Sequence, residues 1–206
     1  MKLYITNFSP YARMARIMLR EKQLELRIEE ELAQTRKVDS PYYKINPSGR
    51  VPYLVRDDGV CLEDSPVICD YLDQLDGAPD FQRPEGDELW ESLRLEVLGR
   101  SMMDGVSVWI RELKRPPEDR SRTIIAHEQA RGQRLITAWE PEIDAPLMNG
   151  PFNYPQMVLA TALQLEIYLP EFEWRPFGPK LAAWLDRIAD RPSLQETVPP
   201  SRPRTE

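Results

Sequence analysis

The segment Asn46–Leu72, NPSGRVPYLVRDDGVCLEDSPVICDYL, constrains the fold more than any other stretch of this chain. It opens with four turn formers and continues into an extended run. Pro52 has no N–H to donate, so it marks the first residue or the edge of a strand. Asp58-Gly59 predicts a type I′ hairpin turn, because both central residues of that turn need a positive φ. We therefore expect antiparallel strands over 51–57 and 60–63.

A helix is predicted directly after the second of these strands. Ser65 can serve as its N-cap, Pro66 suits the first helical position, and apolar residues recur at helical spacing as far as Leu75. The pattern predicts a helix over about 66–76 that Gly77 ends.

Two strands and a helix are predicted ahead of this segment. Leu3 and Ile5 alternate with polar residues, Ser9-Pro10 repeats the combination of cap and proline before a helical pattern, and a second alternation runs over 24–28. A short helix is expected near 41–45. This order of elements predicts a right-handed βαβ unit extended by an antiparallel pair, which is a thioredoxin-like plan (βαβαββα).

The character of the chain changes after residue 77. Residues 78–86 are rich in Pro and Gly and are predicted to be a linker. Helical periodicity then replaces strand-like alternation, and Asn153 with Gln156 gives a capping-box pattern. The predicted helices cover about 87–114, 119–139 (ending before Pro141), 154–169 and 178–190. We therefore predict an α/β thioredoxin-like domain over 1–77 and an all-α domain over 87–206.

Composition and charge narrow the range of partners. The chain has 206 residues, 41% of them hydrophobic and 30% charged, with a formal charge of −7 and no long Lys/Arg block. This composition is typical of a globular protein, and the negative charge argues against nucleic acid or an anionic membrane as the main partner. No signal-peptide pattern opens the sequence and no apolar run reaches about 18 residues, so we expect a cytoplasmic protein.

Few residues could ligate a metal or form a disulfide. His127 is the single histidine, and Cys61 and Cys69 do not form a C-x-x-C pair. We expect His127 to be structural or exposed and both cysteines to be small buried apolar groups, with a redox role as the alternative. No metal cofactor is predicted.

Four motifs, in this order, resemble the cytosolic glutathione S-transferase superfamily of bacteria, in its serine-type form. They are the SPYARM start, the NPSGRVPYLV block, the EDSPVICDYL helix and the closing DRPSLQETVPP. The resemblance covers nearly the whole chain. It implies glutathione as co-substrate, a homodimer, and a cis peptide bond at Pro52, an isomer that the sequence by itself does not fix.

Ser9 begins the first predicted helix, where free N–H groups and the helix dipole favour an anion. Taken alone, Ser9 is a helix cap. The resemblance implies a catalytic role instead, in which the Ser9 hydroxyl donates a hydrogen bond to the sulfur of bound glutathione and that thiolate attacks an electrophile. A serine hydrolase is a weaker alternative, since no G-x-S-x-G is present and His127 is the only imidazole.

The resemblance also implies which groups hold the tripeptide. The main chain of Val51, just before Pro52, would pair with the cysteinyl unit. Asp64 and Ser65 match the acidic-Ser pair that binds the γ-glutamyl end, with Ser65 and nearby helix N–H groups on its carboxylate and Asp64 on its ammonium. Arg50 is expected either to pair with the glycyl carboxylate or to be a solvated surface charge.

Asp104 and Tyr11 are candidates for the cleft that receives the second substrate. The resemblance implies that the helix carrying Asp104 lines this cleft, and it makes Tyr11 a candidate for the cleft wall. Asp104 can also be read as a solvent-facing helix residue. The Met and Trp residues near it have the spacing of a packing stripe.

Three functions are compatible with these residues. The first is a glutathione S-transferase that acts on a small electrophile or a peroxide. The second is a non-catalytic interaction module similar to the stringent starvation protein; such modules typically lack a competent residue at the first helix or the acidic-Ser pair. The third, a thiol-disulfide oxidoreductase, needs a sulfur where this chain has Ser9. The presence of Ser9, Pro52, Asp64 and Ser65 favours the enzyme.

Overall fold

The structure is a computed structural model, and it describes residues 1–78, 80–81 and 83–201. Residues 79 and 82 of the predicted linker and residues 202–206 of the predicted helical domain lie outside this part. None of the helices that the structure describes is long and apolar enough to cross a membrane.

The first part of the chain combines a small sheet with helices. Its elements are β1 (Lys2–Ile5), α1 (Pro10–Glu21), β2 (Glu29–Leu32), a 3₁₀ helix (Pro41–Lys44), β3 (Tyr53–Val55), β4 (Cys61–Glu63) and α2 (Ser65–Gln74). The strands pair in the order β2-β1-β3-β4, with β1 parallel to β2 and β3 antiparallel to both of its neighbours. The predicted thioredoxin-like fold is confirmed.

The second strand lies later in the chain than its predicted position. Leu24 and Ile28 belong to a tight turn after α1, since the N–H of Ile28 donates to the carbonyl of Leu24 at 3.0 Å, and Leu26 is fully exposed. The prediction of a strand over 24–28 was therefore wrong. The strand is instead the acidic run of β2, whose position is set by parallel pairing with β1. Its charged side chains suit a strand at the edge of a sheet.

The hairpin between β3 and β4 turns differently from the prediction. Gly59 has a φ of 82°, but Asp58 lacks the positive φ that a type I′ turn requires. The N–H of Gly59 donates to the carbonyl of Arg56 at 3.1 Å, and Asp58 Oδ1 accepts the N–H of Val60 at 3.1 Å. A type I turn followed by a left-handed glycine therefore connects two strands that are shorter than predicted.

The second part of the chain is helical, as predicted. Its helices are α3 (Asp87–Leu113), α4 (Arg122–Glu142), α5 (Pro146–Asn149), α6 (Tyr154–Leu163) and α7 (Pro179–Ile188), with 3₁₀ helices at Pro117–Asp119, Gln164–Ile167 and Arg175–Phe177. Contrary to our expectation, α4 runs through Pro141, because a proline in the last turn removes only one helical hydrogen bond. The predicted helix over 154–169 is shorter, and α5 was not predicted.

The predicted capping box ahead of α6 is half formed. Asn153 Oδ1 accepts the N–H of Gln156 at 3.1 Å. The side chain of Gln156 does not return to Asn153 but donates to the carbonyls of Leu147, Gly150 and Pro151. The side-chain amide of Gln156 therefore holds the loop before α6, and it does not cap the N–H of Asn153.

A segment near the end of the described chain, Pro192–Val198, belongs to the first unit. The chain divides into a first unit, Met1–Gln82 with Pro192–Val198, and a second unit, which contains Arg83–Arg191 and the described residues after Val198. A short helix, α8 (Pro192–Glu196), lies in the returning segment. The buried Arg13 of α1 accounts for this, since its Nη2 donates to the carbonyl of Leu194 at 3.0 Å and its Nε to Oγ1 of Thr197 at 3.3 Å. The domain boundaries at 77 and 87 stay a prediction, and they do not include α8 in the first unit.

Candidate glutathione site

The predicted site residues lie at one end of the sheet. Tyr4 of β1, Tyr53 of β3 and Glu63 of β4 form one row across the strands. Because β3 is antiparallel to β1 and β4, the end of β1, the start of β3 and the end of β4 meet at the same edge. The segments that extend beyond this edge carry Ser9, Val51, Pro52, Asp64 and Ser65.

Ser9 is the N-cap of α1. Its φ of −84° and ψ of 117° are extended, and its Oγ accepts the N–H of Ala12 at 3.2 Å. A hydroxyl has one donor and two acceptor positions, so capping leaves the Ser9 proton available to a second partner. The side chain is half-buried, and the first turn of α1 contains no acidic residue to oppose an incoming anion. Ser9 can therefore cap the helix and bind an anion at once.

Val51 presents a stretch of unpaired main chain. It precedes β3, and within the described residues neither its N–H nor its C=O makes a backbone hydrogen bond. The bond between Val51 and Pro52 is cis, as the resemblance implied. An extended peptide could pair with Val51 in the manner of an added strand.

Asp64 and Ser65 open α2 with a strained backbone and a buried hydroxyl. Asp64 has a φ of 78° and a ψ of 135°, a region that residues with a side chain rarely adopt and that costs on the order of 1–3 kcal/mol. The cap of α2 is Asp64, whose Oδ1 accepts the Ser65 N–H at 2.9 Å, and not Ser65 as predicted. Ser65 is 0% exposed, and its Oγ has no hydrogen-bond partner among the described residues. Such strain and such an unsatisfied group typically mark a functional site.

Arg50 extends a charged side chain beside these groups. The side chain is exposed and forms no ion pair with the residues that the structure describes. It can bind a carboxylate, and this role of Arg50 stays a prediction.

Comparisons with known proteins point to one family. The family model of the glutathione S-transferase N-terminal domain matches residues 3–80. A glutathione transferase family member from Pseudomonas fluorescens Pf-5, solved with bound glutathione, is 34% identical with a TM-score of 0.87 over 97% of this chain and 98% of that chain. The chain belongs to the glutathione transferase family.

Two further relatives support this membership in the glutathione transferase family. A glutathione S-transferase from Methylobacterium radiotolerans, solved with glutathione sulfonate, is 26% identical with a TM-score of 0.84 and covers 100% of this chain and 97% of that chain. The Escherichia coli K12 protein YibF, described as an uncharacterized GST-like protein, is 28% identical over 202 residues, 97% of this chain and 99% of that protein.

The candidates for a second-substrate cleft stay predictions. Asp104 is exposed on α3, and Tyr11 is half-buried in the first turn of α1. Met102 and Met103 are 0% exposed and Trp109 is 4% exposed, so these three are part of the helical core. Their spacing as a packing stripe indicated this correctly.

The remaining reactive residues lie outside the candidate site. His127 is exposed, Cys69 is buried and Cys61 is exposed, so the prediction of a buried cysteine was right for Cys69 and wrong for Cys61. A hydrogen bond to Cys61, together with burial, raises the pKa of Tyr53 to about 12. Among the described residues, no cluster of three or more His, Cys, Asp or Glu side chains could hold a metal ion.

Two residues that hold the main chain beside Val51 were not predicted from the sequence. Tyr42 and Asn46 are 3% and 1% exposed, and both donate hydrogen bonds to the carbonyl of Arg50. The short helix near 41–45 was predicted, but no role was given to its side chains. A signal was present, because Tyr42 lies close in sequence to the turn before Val51, and its hydroxyl is a candidate donor to that turn.

Proposed function

We propose that this protein is a serine-type glutathione S-transferase in which the Ser9 hydroxyl stabilises the thiolate of bound glutathione. The sulfur forms a bond to an electrophilic carbon, and the leaving group departs with the bonding electrons. With a peroxide as the alternative electrophile, the sulfur bonds to the peroxide oxygen as an alcohol or water leaves, and a second glutathione thiol then displaces that oxygen as water and forms the disulfide. The proposal rests on three features that converge at one end of the sheet: a capping hydroxyl, a stretch of main chain without backbone hydrogen bonds, and a buried hydroxyl, the last two lacking partners among the described residues. The relatives solved with glutathione support the choice of ligand.

The electrostatics of the α1 N-terminus are sufficient for this chemistry. A thiol with a pKa near 8.5 is only a few per cent ionised at pH 7, and lowering that pKa by about two units requires about 2.7 kcal/mol. A helix N-terminus supplies about 0.3–1 kcal/mol, and up to about 2 in a partly buried site. A hydrogen bond to a charged group supplies about 1.5–3 kcal/mol. Ser9 combines both effects, so bound glutathione would be largely ionised at neutral pH.

The other site residues would hold the two ends of the tripeptide. Val51 pairs with the cysteinyl main chain and therefore reads the backbone of the ligand, not a side chain. Ser65 and the N-terminus of α2 bind the γ-glutamyl carboxylate, and Asp64 binds the ammonium. Arg50 pairs with the glycyl carboxylate. The same proposal includes a homodimer that detoxifies electrophiles in the cytoplasm.

Equilibrium binding separates this enzyme from a non-catalytic interaction module. In a calorimetric titration, the wild-type protein is expected to bind glutathione saturably with a Kd of roughly 1 mM or lower, and S-hexylglutathione is expected to compete. No heat of binding at millimolar glutathione would contradict the proposed function. The fold would then be better explained as a docking module.

Replacing Ser65 is expected to separate ligand affinity from stability. Ser65→Ala removes a buried hydroxyl that has no partner in the part of the chain that the structure describes, so the free energy of unfolding should be unchanged or slightly higher. The same change removes a donor to the γ-glutamyl carboxylate, so the Kd for glutathione should rise about tenfold. Calorimetry and chemical denaturation measure the two quantities.

Thr161 supplies the matched control for Ser65. It is 0% exposed on α6 in the second unit, and its Oγ1 also lacks a partner among the described residues. Thr161→Val should leave the Kd for glutathione within twofold of wild type. Equal affinity of Ser65→Ala and wild type would exclude Ser65 from the site.

A further inference from the structure

The residue before Val51 has both of its backbone groups held by side chains. The carbonyl of Arg50 accepts the hydroxyl of Tyr42 at 2.5 Å and Nδ2 of Asn46 at 3.0 Å. The N–H of Arg50 donates to Oγ of Ser48 at 3.2 Å. Val51, one residue later, uses neither its N–H nor its C=O within the described part of the chain. The side-chain hydrogen bonds therefore end where the proposed ligand contact begins.

The planarity of the peptide unit connects the hydrogen bonds of the Arg50 carbonyl with the orientation of the Val51 N–H. The Arg50 carbonyl and the Val51 N–H belong to one planar trans unit, in which the oxygen and the hydrogen point in opposite directions. Two donors occupy the acceptor positions of the oxygen and so fix the orientation of the plane. The direction of the Val51 N–H is thereby fixed before any ligand arrives.

We propose that Tyr42 and Asn46 are positioning residues for glutathione, which act through the Arg50–Val51 peptide unit and aim the Val51 N–H at the cysteinyl unit of the ligand. This inference rests on the proposed function. Neither residue contacts the ligand directly. Before the ligand binds, they order the main chain with which an extended peptide must pair, so less conformational entropy is lost on binding.

The support behind Tyr42 is rigid. Its ring is 3% exposed and lies 5.5 Å from the ring of Tyr4, centroid to centroid, and Tyr4 is part of β1. Burial raises the pKa of Tyr42 to about 12, so its hydroxyl remains a donor at every pH at which the enzyme would work. The Arg50 carbonyl is therefore tied to the sheet through a side chain that cannot shift easily.

A second connection joins this segment to the γ-glutamyl end of the site. Ser48 Oγ donates to Oε1 of Glu63 at 2.6 Å, and Glu63 is the last residue of β4, directly before Asp64. Asn46 Oδ1 in turn accepts the N–H of Ser48 at 3.0 Å. The hydrogen bonds thus link the segment that precedes Val51 to the segment that carries the strained cap of α2.

Tyr42→Phe tests the proposal because it removes the hydroxyl and keeps the buried ring. The Kd for S-hexylglutathione, measured by calorimetry, is expected to rise about fivefold to tenfold. The pKa of the bound glutathione thiol, followed by the ultraviolet absorbance of the thiolate, is expected to stay unchanged, since Ser9 is untouched. In protein labelled with ¹⁵N-valine, the Val51 amide signal of the ligand-free variant is expected to broaden or shift.

Tyr43→Phe is the matched control for Tyr42→Phe. Tyr43 is the neighbouring residue on the same 3₁₀ helix, and its hydroxyl has no hydrogen bond among the described residues. This variant should bind S-hexylglutathione within twofold of wild type and leave the Val51 signal in place. The melting temperature of each variant shows whether a change in its Kd for S-hexylglutathione results from a less stable fold.

Two results would overturn the inference. If Tyr42→Phe lowers the melting temperature but binds S-hexylglutathione as tightly as Tyr43→Phe, Tyr42 is only a structural residue. If the bound thiol pKa rises together with the Kd, Tyr42 acts on the sulfur and not on the main chain. A wild-type protein that binds no S-hexylglutathione would instead refute the proposed function, and the inference with it.

Discussion

Ser9→Ala is expected to lower kcat/KM for conjugation of glutathione to a chlorodinitrobenzene about 10- to 150-fold near neutral pH. The range follows from the loss of a hydrogen bond to a charged sulfur, worth about 1.5–3 kcal/mol. The same loss raises the pKa of the bound thiol by about one to two units. A profile of kcat/KM against pH should therefore shift towards alkaline pH and recover much of its rate there.

The affinity for glutathione should change little in this variant, because in the proposed site Val51, Asp64 and Ser65 hold the tripeptide. A rate equal to that of wild type would remove Ser9 from the mechanism. Calorimetry of the ligand and the rate at several pH values together distinguish a lost thiolate from a lost binding site.

Loss of the helix cap is a separate effect of Ser9→Ala, and the chain offers a control for it. Ser121 caps α4 in the same way, with its Oγ accepting the N–H of Ile124 at 3.2 Å. Alanine at either position should cost about 1 kcal/mol in the free energy of unfolding. Only the Ser9 variant should lose conjugation, whereas Ser121→Ala should keep the rate of wild type.

Features with a local cause were predictable from the sequence. Ser9-Pro10 specifies the start of α1 within a few residues, because the cap and the fixed φ of proline act on adjacent atoms. The position of Val51 and Pro52 ahead of a strand follows from the missing N–H of the proline. The helix start at Ser9 and the strand start at Pro52 were predicted for this reason, whereas the ligand roles of Ser9, Val51, Asp64 and Ser65 came from the resemblance.

Features that depend on distant contacts were not predictable from the sequence. β2 is placed by its pairing with β1 and not by alternation of its own side chains. α8 joins the first unit through Arg13, a residue 181 positions away from Leu194. The positive φ of Asp64 has no local signal, since only the surrounding structure can impose it.

Lys22→Met is expected to lower the free energy of unfolding by about 3–5 kcal/mol. Lys22 follows the last residue of α1, and its side chain is 1% exposed. Its Nζ donates to the carbonyl of Ala78 at 2.6 Å and lies 3.2 Å from Asp76, 3.1 Å from Asp80 and 3.6 Å from Asp73. Asp73 is itself buried, so removal of the ammonium leaves a carboxylate without its cationic partner.

Lys180→Met is the control for this buried ion pair. Lys180 pairs with Asp144, but both side chains are more than half exposed. An exposed pair contributes about 0–1 kcal/mol, so the loss of stability should be small. Urea denaturation of the two variants beside wild type measures the difference. Equal losses in both variants would contradict a special role for burial at Lys22.

The pH dependence of stability provides a second test of the Lys22 cluster. Burial opposes the charge of Lys22, but hydrogen bonds to Asp80 and Asp76 outweigh it and raise the pKa of Lys22 above its ordinary 10.5. Hydrogen bonds from the Ala78 N–H and from Lys22 lower the pKa of Asp76 below its ordinary 3.8.

The stabilisation by Lys22 is therefore complete below pH 10.5 and is lost as the pH rises through the raised pKa. The stabilisation by Asp76 is complete above pH 3.8 and is lost as the pH falls through the lowered pKa. The difference in stability between wild type and Lys22→Met should thus be constant across neutral pH and shrink at both extremes, and a difference that changes steeply near pH 7 would assign the effect to another group.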